Sequence, residues 1–578
     1  MSKKAAWITA IVLILMLGFF GLMLAGFYFL SRPERVVVSP NSVLEIYVEG
    51  QHPELPPTSP FAKAFGQGGI SLIEMRRILR EAAKDSNIKT LYLTVPPMGT
   101  SWAQVEELRD QLLDFKKSKK PVIVRLTGDM AEEKEFYLAS LGDEIYLNPD
   151  AGLLINGMAV EISFYKKLMA KLKIEPQFIQ FKEYKSPEQY TREKMSPEIR
   201  SMLEGILTEL QERFIQTVAA DRTIPPNRLR ELIQTGMAPA PLALKEHLVT
   251  ALGYQDDVKA KLMSAKPDGG KEYRSINAGQ YLRAIQSRPY QARKTKVALL
   301  GGLGMIVSGS SDEVWENYMG GETIANRLHS IREDKSIKGV LFRVNSPGGS
   351  AVGSDKIWRE VMQLEKEGKP VVVSMSGVAG SGGYYISMAA RKIVAQPSTI
   401  TGSIGVIFGK FNLKGLYEDW LGITTDRIKL AENADIFSPM NSLTDKQKAQ
   451  IQSWMQEVYD TFVRKAAEGR KMKFEDLEAK AHGRIYTGSQ AKQLNLVDEL
   501  GGFATAISLL KKELKVPESE EIELVLYPKP KSLFQSLMEG DLFKTTTSLP
   551  SLENYLQQAR TLLETPTIWM VTPQVEIH

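Results

Sequence analysis

Hydrophobic positions along the chain fall into three patterns: one long unbroken run, several short apolar bursts, and amphipathic stretches with helical spacing. The long run, AAWITAIVLILMLGFFGLMLAGFYFL, spans residues 5–30 and carries no charge. At about 1.5 Å per residue it exceeds the roughly 20 residues that cross a bilayer. It lacks the A-x-A exit of a cleaved secretory signal, and Phe27 stands where a lipoprotein signal would place cysteine after Leu24-Ala25-Gly26. Residues 1–32 therefore read as an uncleaved membrane anchor. Lys3 and Lys4 favour an inside N-terminus, although Arg32 and Arg35 beyond the span weaken the asymmetry.

The short bursts at 91–95, 122–126, 340–344 and 371–375 are β-branched or aliphatic and bounded by turn residues, which predicts buried parallel strands. Between them, 105–118 and 355–368 alternate as amphipathic helices do. Strand–helix–strand alternation predicts an α/β fold with right-handed crossovers. Two longer helices follow. One starts at Ser196-Pro197 and carries Leu203, Ile206, Leu207, Leu210 and Phe214 on one face. The other is capped by Thr444 and carries Ile451, Trp454, Met455, Val458 and Phe462. Both stripes read as core, or as packing between two halves.

Those two halves are an internal repeat offset by 248 to 249 residues. NIK…LYLTV (87–95) matches SIK…VLFRV (336–344), PVIVRLTG (121–128) matches PVVVSMSG (370–377), and FYLASLGDEIYLNP (136–149) matches YYISMAARKIVAQP (384–397). The expected organisation is a first repeat over 40–265, a linker over 266–294, a second repeat over 295–515 and an extension over 516–578. The extension reads either as a strand and helix docked on the second repeat or as a mobile tail.

Composition narrows the chemistry. The net charge of +5 is the small difference between 73 basic and 68 acidic residues, and without a basic run nothing points to nucleic acid. The absence of cysteine removes disulfides, thiolate metal sites and a thiol nucleophile. The five histidines are scattered singly with no metal-binding spacing, so each reads as a surface or packing residue. No cofactor is expected.

The aligned halves differ most at two turns. After its strands the second half has Asn345-Ser346-Pro347-Gly348-Gly349 and Gly377-Val378-Ala379-Gly380-Ser381-Gly382-Gly383; the first has Pro96-Pro97-Met98-Gly99-Thr100 and a stretch from Gly128 to Lys134. Glycine-rich turns at adjacent strand ends can aim backbone N–H groups at a developing oxyanion. Ser381 would stand at the start of an apolar helix, either as a nucleophile or as an ordinary N-cap. The turn is not a G-x-S-x-G elbow, because Ala379 replaces the first glycine. A serine nucleophile needs a base. With no histidine signature, a buried neutral lysine would serve, but composition does not choose among the lysines.

The segments V-N-S-P-G-G (344–349), G-S-G-G-Y (380–384), T-G-S-I-G-V (401–406), G-R-I-Y-T-G-x-x-A from 483 and L-V-D-E-L-G-G (496–502) together resemble the signal peptide peptidase A family, in its long tandem-repeat form. The resemblance covers nearly the whole chain. It implies two tandem crotonase- or Clp-protease-like α/β repeats behind an N-terminal transmembrane helix. It implies Ser381 as nucleophile and, in Tyr184-Lys185-Ser186, Lys185 as general base and proton donor, with Lys182 its one rival. Ser403 would orient the lysine, and the N–H groups of Gly382 and Gly349, with Gly348 close by, would bind the oxyanion. The repeat offset carries Lys185 onto Asn433, so each half holds one member of the pair. Glu183 and Glu188 are expected to point away, since an ion pair would raise the amine pKa. Ser350, Ser374, Ser376 and Ser387 near the same turns read as packing or capping residues.

The resemblance further implies a bacterial inner-membrane endopeptidase with its catalytic part on the extracytoplasmic side. Its substrates would be hydrophobic peptides, especially remnant signal peptides, and its assembly a homotetramer. Two other readings remain: a crotonase-like enzyme acting on an acyl thioester, and a non-enzymatic scaffold descended from a peptidase.

Overall fold

The structure is a computed structural model describing residues 36–58, 69–264, 274–287, 295–311, 318–529 and 568–571, with isolated positions 7 and 18. The anchor expected over 1–32 lies outside the described residues apart from those two positions. Among the described residues, no helix is long and apolar enough to cross a membrane.

The first half contributes β1 (Ser42–Tyr47), β2 (Ile88–Val95), β3 (Val122–Leu126), β4 (Glu144–Leu147), β5 (Glu175–Gln180), β6 (Ala251–Leu252) and β7 (Ser275–Asn277). The second contributes β8 (Lys296–Leu303), β9 (Met305–Val307), β10 (Tyr318–Gly320), β11 (Ile337–Ser346), β12 (Gly348–Ser350) and β13 (Val371–Gly380). It continues with β14 (Ile400–Gly402), β15 (Ile407–Asn412), β16 (Ile485–Thr487), β17 (Glu523–Tyr527) and β18 (Ile568–Val571). The helices that bear on the site are α1 (Trp102–Lys116), α2 (Pro197–Arg222), α3 (Ala351–Lys366), α4 (Gly382–Tyr385) and α5 (Asp445–Arg470).

The four apolar bursts form β2, β3, β11 and β13, each inside a parallel sheet. The first sheet runs β7-β1-β2-β3-β4-β6 and is parallel throughout. The second runs β16-β14-β13-β11-β8-β17, antiparallel only at β14–β16. Their strands are nearly continuous apolar runs because helices cover both faces. Residues 274–287, inside the stretch read as a linker, add β7 and a helix to the first sheet. From the C-terminal stretch, β17 adds a strand to the second.

One apolar cluster joins the sheets: Leu44, Leu91 and Val124 of the first share a core with Leu299, Leu341 and Val372 of the second. The stripe of α2 reaches across the halves, with Met202, Leu203, Ile206 and Leu210 packed on Ile485 of β16, while Phe214 stays in the shared core. On α5, Ile451, Met455 and Phe462 are buried, whereas Trp454 faces out at 49% exposure, a departure from the stripe. Both caps form: the Ser196 hydroxyl accepts from the Ile199 N–H and the Thr444 hydroxyl from the Gln447 N–H.

A third sheet, β10-β9-β12-β18-β15-β5, crosses the boundary between the halves. Strand β5 of the first half pairs antiparallel with β15 of the second, Gln180 opposite Ile407. Strand β18 lies between β12 and β15, antiparallel to both.

Candidate active site

Ser381 stands at the end of β13, where Gly380 pairs with Gly402 of β14 and the Ser381 N–H donates to the Gly402 carbonyl at 2.8 Å. Its backbone sits at φ 53° and ψ −114°, a conformation that costs a non-glycine residue on the order of 1–3 kcal/mol. The residue is fully buried, and its hydroxyl makes no N-cap bond, so the ordinary capping role does not apply. The helix expected after it, α4, is present as a single buried turn.

Lys185 arrives from the other half. The pairing of β5 with β15 carries the chain into the second repeat. Phe181 packs 5.0 Å from Tyr459, and the Tyr184 N–H donates to the His482 carbonyl at 3.1 Å. Gly483, at φ +81°, leaves room for this passage, since a Cβ there would lie 2.5 Å from the Lys185 Cβ and 2.6 Å from its nitrogen. The G-R-I-Y-T-G motif thus owes its first glycine to the lysine backbone.

The Lys185 amine lies 2.7 Å from Ser381 Oγ, 2.8 Å from Ser403 Oγ and 3.1 Å from the Ser403 carbonyl oxygen. Those three contacts suit both protonation states. A neutral amine accepts from the Ser381 hydroxyl and donates two N–H groups, whereas an ammonium donates to all three oxygens. Burial pushes the lysine pKa well below its ordinary value. The nearby carboxylates are engaged elsewhere: Glu183 lies 2.9 Å from His482, and Glu188 accepts from the Ser196 N–H at 2.9 Å. Lys182 is drawn off to Glu478 at 2.7 Å. Ser403 holds its place through a left-handed backbone at φ 52° and an N–H bond to the Arg484 carbonyl.

The two glycine turns meet beside Ser381. Gly349, at φ +147°, could not carry a side chain, because a Cβ would fall 2.0 Å from the Ile306 carbonyl oxygen. A Cβ on Gly382 would lie 3.1 Å from the Gly349 nitrogen, so these backbones are in close contact. The Gly348 N–H already donates to Ser346 Oγ at 3.2 Å. The other serines of the region have structural partners. Ser374 and Ser376 accept from Arg343, Ser387 donates to the Gly383 carbonyl, and Ser350 caps α3. Among the described residues, no cluster of histidines and carboxylates could hold a metal ion.

Missed by the sequence reading were Glu54 and Arg343, which lie behind the turns. The available signal was an arginine in the middle of the buried strand V-L-F-R-V.

A strained, buried serine beside a buried lysine, set on parallel α/β sheets with two glycine turns alongside, is the equipment of a serine-type peptidase. The chain belongs to Peptidase family S49, whose sequence profile matches it twice, over residues 114–267 and 363–517. It is 30% identical over 516 residues to the chloroplastic serine protease SPPA of Arabidopsis thaliana, covering 87% of this chain and 74% of that protein. It is 31% identical over 490 residues to Protease 4 of Salmonella typhi, covering 83% and 77%. A protein of Enterococcus faecium, named as a candidate signal peptide peptidase, is 37% identical over 233 residues, covering 40% of this chain and 67% of its own.

Proposed function

We propose that the chain is a membrane-anchored endopeptidase that cleaves hydrophobic peptides with a Ser381/Lys185 dyad. The observation that carries this reading is the 2.7 Å contact between a fully buried serine hydroxyl and a buried lysine amine that pairs with no carboxylate among the described residues. Neutral Lys185 takes the Ser381 proton as the oxygen attacks the peptide carbonyl, and Ser403 keeps the amine aimed. The N–H groups of Gly382 and Gly349 receive the oxyanion, each typically worth about 2.7–4 kcal/mol in such sites. The ammonium then protonates the leaving amine, and the same lysine activates the water that releases the acyl-enzyme.

Substrate peptides bind in an extended form. Support comes from β18, which lies antiparallel along β12 with Met570 opposite Gly349, so the groove takes a strand and grips it by the main chain. The apolar run at 5–30 would anchor the enzyme in an inner membrane, with the site on the extracytoplasmic side and remnant signal peptides as natural substrates. The name of the Enterococcus faecium relative points the same way. A homotetramer is the proposed assembly.

The test is hydrolysis of a fluorogenic apolar peptide by the purified full-length protein. Ser381→Ala and Lys185→Ala should each lose about 10³-fold or more in kcat while melting as cooperatively as wild type. Full activity in Lys185→Ala would reject the assigned base.

A further inference from the structure

Behind the glycine turns, the two halves share a buried charge cluster. Arg343 of β11 is wholly inaccessible to solvent, yet both carboxylates that neutralise it come from the first half: Glu54 at 2.8 Å and Glu107 at 2.6 Å. Its guanidinium also donates to Ser374 at 2.8 Å and Ser376 at 3.1 Å, and stacks 4.4 Å from the Phe503 ring centre. One positive charge faces two negative ones, so the excess is spread over neutral donors. Glu107 accepts from the Phe503 N–H at 2.8 Å. Glu54 accepts from Gln104 Nε2 at 2.8 Å, from Asn345 Nδ2 at 3.0 Å and from the Ser376 hydroxyl.

Asn345 links this cluster to the site. Its amide nitrogen donates to Glu54, and its amide oxygen accepts from the Val378 N–H at 3.1 Å. It opens the Asn345–Gly349 turn, while Val378 lies on the strand leading to Ser381. One side chain thus spans both glycine turns, and a carboxylate from the opposite half holds that side chain still.

We propose that Glu54 is a positioning residue for the oxyanion site. Through Asn345 and Ser376 it fixes the spacing between the turns that present Gly349 and Gly382. The inference rests on the proposed dyad and adds that the first half supplies the geometry of the oxyanion site as well as Lys185. Glu54 touches neither Ser381 nor Lys185, so its loss weakens transition-state binding without altering the base.

The test uses the full-length chain, with a fluorogenic peptide as substrate and a peptide aldehyde that forms an oxyanionic adduct with the serine. Glu54→Gln sets an amide against the amide of Asn345. It should lower kcat by roughly 10- to 100-fold, less than deletion of an oxyanion donor. KM and the pH midpoint of kcat should stay in place, and aldehyde affinity should fall by the same factor as kcat. Asn345→Ala keeps the Arg343–Glu54 pair and should show the same pattern, which preserves the test if Glu54→Gln folds poorly. Combining Glu54→Gln with Asn345→Asp restores a donor facing an acceptor and should recover most of the lost kcat. Wild-type kcat in both single variants, or aldehyde affinity unchanged while kcat falls, would overturn the proposal. Activity surviving in Ser381→Ala or Lys185→Ala would instead reject the dyad beneath it.

Discussion

Lys185 is held where a lysine is costly: buried, without an ion pair among the described residues, and against a backbone gap that only glycine leaves open. Because folding depresses its pKa, the unfolded chain binds more protons than the folded chain between the folded pKa and the ordinary lysine value. Stability therefore rises with pH across that window. Lys185→Met removes the charge penalty at similar volume. It should abolish turnover yet melt above wild type at pH 7, with the gain shrinking as pH climbs toward 10; a variant that melts lower at every pH would contradict this account. Gly483→Ala would push a methyl into the Lys185 backbone at a left-handed position. A displacement of about 1 Å in a reacting group costs on the order of 10²-fold, so kcat should fall by that much while KM holds. A fully active Gly483→Ala enzyme would show that the lysine does not depend on that gap.

At the scale of elements, the sequence disclosed those whose signal is local. The bursts at 91–95, 122–126, 340–344 and 371–375 became parallel strands, and Ser196 and Thr444 cap their helices, because periodicity and capping are written in neighbouring residues. What stayed illegible depends on distant partners. The segment EPQFIQ of β5 has no strong alternation and is a strand because β15 lies beside it. Likewise, β18 is defined by β12 and β15. Ser381 and its glycine turns stood out because the repeats disagree there. Lys185 needed the family resemblance, since nothing local separates it from Lys182. Glu54 was invisible, and Asn345 was legible only as part of its turn, because the bond between them joins the two halves. Strand β18 lies along β12, where substrate is proposed to pair, so it should compete with peptides. Met570→Pro removes a ladder N–H from β18 and should lower KM for a short apolar peptide severalfold; an unchanged KM would mean that β18 does not compete there.

Across the whole molecule, the proposed site draws on both halves: the second has Ser381 and both glycine turns, the first Lys185 and the carboxylates Glu54 and Glu107. The seam also holds a buried carboxyl with a raised pKa. Glu106 of α1 accepts from the Ser398 N–H at 2.9 Å and its hydroxyl at 2.6 Å, and burial lifts its pKa to about 7. A carboxyl raised on folding contributes most below its unfolded value near 4.5, and that contribution is lost as pH rises through about 7. Denaturant titrations of Glu106→Gln should therefore gain on wild type between pH 5 and pH 8. A constant difference would place the titration elsewhere.

In the proposed mechanism, a lysine from one half activates a serine from the other. The most direct measurement is the rate at which a fluorophosphonate inactivates the full-length enzyme as a function of pH, with the adduct located by mass spectrometry. Modification is expected at Ser381, with a rate that rises through a single ionisation well below the ordinary lysine pKa and loses that pH-dependent rise in Lys185→Ala. Equal rates in wild type and Lys185→Ala, or an adduct on another serine, would contradict it.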